Sequence, residues 1–422
     1  MKFTKTILKN GLKVITVPMK DNPTVTVLVM VEAGSKYETK EINGLSHFLE
    51  HMCFKGTTKR PKAIDISREL DTVGAQYNAF TSQEYTGYYA KADYKHIDLL
   101  TDVVSDMYLN PVLNDNEIEK EKGVIIEEIN MYEDLPHRKV QEIFMRLLYG
   151  DQPAGWDIAG TKENIKNIKR IDFLDYRRKH YAPSATTVVI AGKFDEKKTL
   201  NNIKKMWDDV SSAKKKGKVK TKDSQEKPEM LLQHKDTDQT HLVLGVRSFD
   251  TYSKNNPAIK VLSAILSGGM SSRLFQKLRD EMGICYYVRA ENDTYTDHGV
   301  LQVSAGLDNK RVKEGIAAII EELRRLKTEL VSESELNKVK QQLQGNLYLG
   351  LETSDSFAEY CGYQEVLNKP IKTPEQIIAE IQAVTATDVK KIANKIFQDK
   401  NLNLAIIGRF KDQNEFLPIL KF

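Results

Sequence analysis

Segments of strand periodicity and helix periodicity alternate along the first half of the chain. Apolar and polar residues alternate over residues 3–33, with a turn at Asn10-Gly11, and this pattern indicates strands. Apolar residues then recur with helical spacing over residues 43–54. The pattern predicts further helices at 64–73, at 96–109, from 116 onward and after 195, and further strands at 76–81, 85–92 and 186–191.

The same order of elements recurs in the second half. The segment TTVVIAGKFDE, which ends the first half, is similar to LNLAIIGRFKD near the C terminus, and NDNEIEKEKGVIIEEI is matched about 218 residues later by ESELNKVKQQLQGNL. Between the halves lies SSAKKKGKVKTKDSQEKP, whose many lysines and near absence of apolar residues indicate a solvated linker or surface loop. We therefore expect two copies of one α+β unit, with an N-terminal domain at 1–212, a linker at 213–229 and a C-terminal domain at 230–422.

Composition supports a globular protein of two domains. A chain of 422 residues exceeds the usual size of a single hydrophobic core, and 40% apolar with 29% charged residues is ordinary for such proteins. The net charge of +4 argues against partners such as nucleic acid or a membrane surface. No apolar run reaches membrane-spanning length, and the N terminus lacks the features of a signal peptide. With three cysteines that lack metal-type spacing, a cytoplasmic location is expected.

The segment GLSHFLEHMCFKG holds three residues with the spacing of a metallopeptidase motif. His47 and His51 are four residues apart in a predicted helix, so both imidazoles project from one face and can bind one ion. Glu50 lies on the flank of the same face, where a carboxylate can reach a water molecule beside the metal. The order H-x-x-E-H is that of the inverted zincins. The alternative is a pair of surface histidines beside an acid, but the apolar flanking residues favour a buried helix.

A catalytic zinc ion needs three protein ligands and an open position. Glu121 and Glu128 are seven residues apart in the segment IEKEKGVIIEEI, so they share one helix face, whereas Glu127 points about 100° away from Glu128. One of the pair can bind the metal while the other supports an imidazole through its free ring N–H. The alternative is a solvated acidic helix face.

The repeat confines these groups to the first half. When the long helix is aligned with its second copy, Glu121 and Glu128 fall opposite Val339 and Asn346. The histidine segment falls near residues 264–269, which contain no histidine. We therefore expect a metal-binding first domain and a second domain without metal ligands.

The chain resembles the pitrilysin family of zinc metallopeptidases, especially the processing-peptidase-like branch that includes the mitochondrial processing peptidase β subunit. The resemblance covers essentially the whole chain, and its strongest segments are GLSHFLEHMCFKGT, YNAFTSQEYTGYYAKA, IEKEKGVIIEEI and GGMSSRLFQKLRDEMGICYYV. It implies two α/β-roll domains per chain, each an antiparallel-rich sheet with helices packed on one face, and one Zn2+ per chain.

The resemblance also implies roles for particular residues. His47, His51 and Glu128 would bind the metal, Glu50 would be the catalytic base, and Glu121 would support the site.

Four further residues would contact substrate. Asn78 and Ala79, on an edge strand, would bind the peptide backbone by strand addition. Arg279 and Tyr286, which by themselves would be a surface arginine and a core tyrosine, would contact the substrate near the scissile bond.

These features predict a zinc endopeptidase for short or unfolded peptides. The resemblance implies that four such units enclose a chamber. Because one chain supplies two units, a homodimer, or a heterodimer with an inactive relative, is expected. Gln152-Pro153-Ala154-Gly155 stands where the branch commonly has His-Pro-Leu-Gly, which affects the expected side-chain preference. The alternatives are a non-catalytic or partner-dependent subunit of the family and a metal-binding module without hydrolysis.

Overall fold

The computed structural model describes residues 1–212 and 215–422, which form two compact units. Each unit combines segments from both halves of the chain. The first unit comprises Met1–Asn130, Asp157–Val219 and Leu349–Thr373, and the second comprises Met131–Trp156, Lys220–Tyr348 and Pro374–Phe422. The division therefore differs from one at the linker alone, because each half contributes one segment to the unit formed mainly by the other half.

Each unit is built on one mixed sheet. The strands of the first unit are β1 (Thr4–Ile7), β2 (Lys13–Pro18), β3 (Thr24–Val31), β4 (Gln76–Thr81), β5 (Thr86–Asp93) and β6 (Thr186–Gly192), in the order β1-β2-β6-β3-β5-β4. Those of the second are β7 (Glu229–His234), β8 (Gln239–Ser248), β9 (Cys285–Thr294), β10 (Gly299–Asp308) and β11 (Asn403–Gly408), in the order β7-β11-β8-β10-β9. Only the pairs β2–β6 and β7–β11 are parallel among the described strands. Strands β4 and β9 stand at the ends of these two orders and are edge strands.

The observed helices include those expected from the hydrophobic pattern. They are α1 (Leu45–Cys53), α2 (Ala63–Thr72), α3 (Ile97–Leu109), α4 (Asp115–Glu133), α5 (Pro136–Tyr149), α6 (Lys162–Asn167), α7 (Arg170–His180), α8 (Glu196–Trp207), α9 (Asn256–Ser267), α10 (Arg273–Phe275), α11 (Val312–Thr328), α12 (Glu333–Leu349), α13 (Ser354–Val366), α14 (Pro374–Gln382) and α15 (Ala386–Ile396). The starts of α12 and α13 follow those of α4 and α5 at the spacing predicted from the repeat. Among the helices described, none is both long enough and apolar enough to cross a membrane.

The sheet of the first unit is covered on both faces. Side chains alternate across a strand, so Val27 and Val29 of β3 enter one core with α1 and α3, while Leu28 and Met30 enter a second core on the opposite face. Helix α13 covers that second face, where Ala358 packs among these side chains.

The second unit has the reciprocal arrangement. Leu242 and Leu244 of β8 pack with the helices of their own half, whereas Val243 and Ala405 face α5 and pack against Phe144. The α+β class is confirmed. The expectation of helices on one face is incomplete, because an exchanged helix buries the apolar residues on the other face of each sheet.

The lysine-rich segment is held to the protein after residues 213 and 214, which lie outside the described residues. Lys218 pairs with the buried Glu84 at 2.8 Å in the first unit. In the second unit, the Gln152 side chain accepts the N–H of Lys222 at 2.8 Å and donates to its carbonyl at 3.0 Å. The described part of the predicted linker is therefore not a freely solvated tether, and Gln152 has a structural role that local sequence did not reveal.

Candidate metal centre

Helix α1 presents His47, Glu50 and His51 on the face opposite its buried apolar residues. Its apolar residues recur with the spacing of one helix face and are fully buried: Leu45, Phe48, Leu49 and Met52. His47 and His51 are only partly exposed, at 14% and 22% of their side-chain surface. Core packing on one side of α1 thus fixes where the two imidazoles project.

Two imidazole nitrogens and one carboxylate oxygen converge beside α1. The Nε2 atoms of His47 and His51 are 3.3 Å apart, and Oε2 of Glu128, on α4, lies 3.6 Å from each of them. Within the described residues, this is the one group of three or more such side chains whose ligand atoms all lie within 4.8 Å of one another. Donors held at about 2.0–2.1 Å on a tetrahedral zinc ion lie roughly 3.3 Å apart, so the three residues fit this metal.

His51 is oriented by a second glutamate of α4. Its Nδ1 lies 2.9 Å from Oε1 of the buried Glu121, whose other oxygen accepts from Lys55 at 2.6 Å. Although burial acts in the opposite direction, the hydrogen bonds from His51 and Lys55 lower the pKa of Glu121. A carboxylate at Nδ1 selects the tautomer that leaves Nε2 with a free lone pair for a metal. The structure thus places the Glu121 carboxylate at the ring nitrogen of His51 that faces away from His47, and Lys55 is an additional partner that sequence reasoning missed.

The surroundings give the two histidines different protonation behaviour. Burial lowers the pKa of His47 to about 4, with a further contribution from His51, so this imidazole is neutral at pH 7 and available as a ligand. Burial also disfavours the charged form of His51, but the hydrogen bond to Glu121 and the surrounding carboxylates raise its pKa. The carboxylates therefore make the centre favourable for a cation.

Glu50 is held beside this cluster by the end of an edge strand. The hydroxyl of Thr81, the last residue of β4, donates to Oε2 of Glu50 at 2.5 Å. Burial raises the pKa of Glu50, against the opposing effect of this hydrogen bond. A carboxylate with a raised pKa is suited to accept and release a proton near neutral pH. Thr81 was not singled out from the sequence, although strand alternation places it on the same face as Ala79.

The edge strand β4 also carries Asn78 and Ala79. Antiparallel strands direct alternate N–H groups inward and outward, and the N–H of Ser82 donates inward to Tyr85 at 2.8 Å in the turn that joins β4 to β5. By this alternation the N–H of Ala79 points to the open edge, where Oδ1 of Asn78 accepts it at 2.9 Å.

Arg279 and Tyr286 lie together in the second unit. The Arg279 guanidinium donates to the carbonyl of Tyr286 at 2.7 Å and stacks over Phe275 at 5.3 Å from the ring centroid. Tyr286 is the second residue of the edge strand β9, and 74% of its surface is exposed. Tyr286 is therefore not a core residue and is free to contact another molecule.

Comparisons with known proteins show the family of this chain. A family model described as Insulinase (Peptidase family M16) matches residues 13–162, and one described as Peptidase M16 inactive domain matches residues 167–343. The zinc protease YmxG of Bacillus subtilis, named as uncharacterized, is 35% identical over 95% of this chain and 97% of that protein. The chain belongs to peptidase family M16. The pitrilysin resemblance is thereby confirmed, and the candidate ligands all lie within the N-terminal M16 match.

Other M16 relatives extend the comparison. A zinc protease of Streptomyces coelicolor, also named as uncharacterized, is 31% identical over 97% of this chain and 90% of that protein. A protease from Helicobacter pylori has a TM-score of 0.90 at 23% identity, covering 96% of this chain and 99% of that one. A Pseudomonas fluorescens structure titled as a peptidase M16 inactive domain has a TM-score of 0.89 at 16% identity, covering 98% and 100%. These two structures support the fold, while the relatives' names indicate a zinc-binding metallopeptidase.

Proposed function

We propose that this chain is a zinc-dependent endopeptidase that hydrolyses short or unfolded peptides. The observation that carries the proposal is the convergence of His47, His51 and Glu128 within 4.8 Å, with Glu50 on the same helix as the two imidazoles. Two neutral imidazoles and a carboxylate are a ligand set found in catalytic zinc sites, where the fourth position is left open. The names of the M16 relatives support the same conclusion.

Each residue of the centre has a separate task. Nε2 of His47, Nε2 of His51 and the Glu128 carboxylate would hold zinc, which supplies Lewis-acid polarisation of the scissile carbonyl and acidifies water. Thr81 fixes Oε2 of Glu50 by its hydrogen bond. Oε1 of Glu50 then accepts a proton from the attacking water and delivers it to the nitrogen of the leaving amine.

Strand β4 is suited to align an extended peptide with this centre. Its outward backbone groups, including the N–H of Ala79, can pair with a peptide added as a further strand. The side chain of Asn78, which accepts that N–H, would move aside for the substrate carbonyl. Because β4 ends at Thr81, a peptide bound along it passes the Glu50 carboxylate.

The decisive experiment compares the native protein with Glu50→Gln. The zinc content of each protein would be measured together with cleavage of a mixed peptide library. We expect about one zinc per chain in both proteins and a loss of cleavage of roughly 10²–10⁴-fold in the variant, because glutamine keeps the shape but cannot carry the proton. Normal cleavage by the variant would refute the role of Glu50. Zinc binding without cleavage by the native protein would instead favour a non-catalytic or partner-dependent subunit.

We further propose that two copies of the chain, or one copy and an inactive relative, together form the working enzyme. The exposed Tyr286 and its neighbour Arg279 would then contact peptide in the enclosed space. The molar mass of the active fraction, measured by light scattering, tests this arrangement. A fully active monomer would exclude it, whereas loss of peptide binding in Arg279→Ala and Tyr286→Ala would support it.

A further inference from the structure

Helix α1 begins without a capping side chain of its own. Its N-cap residue is Gly44, which has φ of 103° and no side chain to accept the first N–H groups of the helix. A Cβ atom at this position would lie 2.6 Å from the carbonyl oxygen of Ala159, so serine, threonine or aspartate cannot replace the glycine. The first N–H groups of the metal-binding helix therefore need a partner from elsewhere.

Glu38 provides that partner. Its Oε1 accepts the N–H of Ser46 at 2.6 Å, while its Oε2 accepts the N–H of Gly44 at 2.8 Å and the Asn43 side chain at 3.0 Å. The residue is only 4% exposed. A carboxylate at a helix N terminus is also favoured by the helix dipole. Glu38 thus replaces the missing cap and fixes the start of α1.

This anchor matters most for His47. His47 follows Ser46 directly, so any shift of the first turn moves its Cα atom. His51 has a side-chain anchor in Glu121, but Nδ1 of His47 is buried and has no hydrogen-bond partner among the described residues. The orientation of His47 therefore depends on the backbone that Glu38 holds.

Further hydrogen bonds connect the first turn of α1 to the residue that follows the edge strand β4. The Ser46 hydroxyl lies 2.7 Å from the hydroxyl of Tyr176, which donates to the carbonyl of Gly34 at 3.1 Å. The adjacent Ser35 N–H donates to the carbonyl of Ser82 at 3.2 Å. Burial raises the pKa of Glu38 to about 7, against the opposing effect of its hydrogen bonds from Ser46, Gly44 and Asn43.

We propose that Glu38 is a positioning residue of the zinc site, which places His47 by holding the N–H groups of Gly44 and Ser46. The inference rests on the proposed zinc site but requires no cleavage.

The test compares Glu38→Gln with a matched control, Asp106→Asn, in the full chain. Asp106 is also a buried carboxylate of the first unit, but it accepts from Thr57 and Arg60, away from the start of α1. After removal of metal, zinc affinity is measured by competition with a chromophoric chelator, and the visible absorption of the Co2+ form reports ligand geometry.

We expect Glu38→Gln to bind zinc at least about tenfold more weakly and to change the Co2+ absorption bands, because outer partners of metal ligands typically contribute 10–100-fold in affinity. Asp106→Asn should lose thermal stability yet keep the native zinc affinity and Co2+ spectrum. If Glu38→Gln does not fold, Glu38→Asp replaces it, since aspartate retains the charge but withdraws the carboxylate by one methylene. A smaller loss of affinity with altered Co2+ bands is then expected.

Three results would overturn the inference. A folded Glu38 variant with native affinity and native Co2+ bands shows that Glu38 does not position His47. An equal loss of affinity in Asp106→Asn shows that the effect is a general loss of stability. If the native protein binds no zinc, the proposed function itself fails, and this inference fails with it.

Discussion

Helices α4 and α12 occupy corresponding places in the two units, and their buried residues differ in kind. Where α4 has Glu121, bonded to His51 and Lys55, α12 has Val339, buried in the apolar core of the second unit. Where α4 directs Glu128 to the imidazoles, α12 has the exposed Asn346. The second unit keeps the architecture without a metal-ligand cluster among its described residues. The comparison therefore teaches that apolar packing suffices for this architecture, because the second unit has it without the candidate ligands.

The largest effect is expected when the two units are deprived of their exchanged helices. Residues 1–219 alone would lack α13 and expose one face of the first sheet, which includes Ile15, Val17, Leu28, Met30 and Val189. Burial of five such side chains contributes about 7–15 kcal/mol, comparable with the entire stability of a domain. We expect this fragment to be unfolded or aggregated by circular dichroism and light scattering.

Co-expression provides the control for this prediction. Residues 220–422 alone lack α5 and should fail in the same way, whereas the two fragments made together should purify as one folded complex. Independent folding of either fragment would show that the exchanged helices are dispensable.

The second-largest effect is expected on zinc affinity, when one residue of α4 is replaced by its counterpart in α12. Glu128→Asn introduces the residue found at the equivalent place and removes one of three ligands. We expect zinc affinity to fall by more than the roughly 100-fold that loss of an outer partner can cause, so little metal should remain after dialysis. Circular dichroism should show a native fold. The reverse change, Asn346→Glu, should leave zinc content as it is, and a second bound zinc ion would contradict the comparison.

A smaller loss of affinity is expected when the support of His51 is weakened. Glu121→Gln keeps the size of the side chain but replaces the carboxylate that His51 and Lys55 contact. Zinc affinity should fall about 10–100-fold, as measured by chelator competition. Glu127→Gln is the matched control on the same helix, because Glu127 is exposed and accepts a hydrogen bond from the nearby Asn130. Equal losses in both variants would indicate a general effect of charge instead of a specific contact.

The smallest effects concern glycines in helices α13 and α12. A Cβ atom at Gly362 would lie 2.6 Å from Sδ of Met30, so Gly362→Ala should lower the free energy of unfolding by about 1–3 kcal/mol. A Cβ atom added at Gly345 would lie in open space, so Gly345→Ala should raise the free energy of unfolding by about 0.5–1 kcal/mol. Urea denaturation would measure both values, and shifts in the same direction would contradict the tight packing of α13.

Local periodicity was sufficient for much of the fold and the candidate site. It placed α1 and β4 within two residues of their observed ends, and spacing grouped His47 with His51 and Glu121 with Glu128. The choice of Glu128 as the third ligand came from the family resemblance, and the structure brings its carboxylate to the two imidazoles. These features are local because helix and strand periods determine which residues share a face. The repeat added the expectation that the second half lacks ligands.

The exchange of helices could not be read from the same pattern. Val140 and Phe144 show that α5 has an apolar face, but not that this face packs against a sheet formed by the other half. Glu38 was missed because its hydrogen bonds form in a loop without periodicity. One signal was present: Gly44 stands where a helix normally begins with serine, threonine or aspartate, so a cap from elsewhere was required.

The hydrogen bond between Asn78 and Ala79 has a consequence for the behaviour of the protein in a crowded solution. An unpaired edge strand is a template for unwanted pairing with other chains, and proteins commonly blunt such edges. By accepting the outward N–H of Ala79, the Asn78 side chain protects β4 while it is empty. The protection is reversible because it depends on one side-chain rotamer, and β4 has only six residues. In the proposed function, the strand can thus accept a peptide without becoming a nucleus for aggregation.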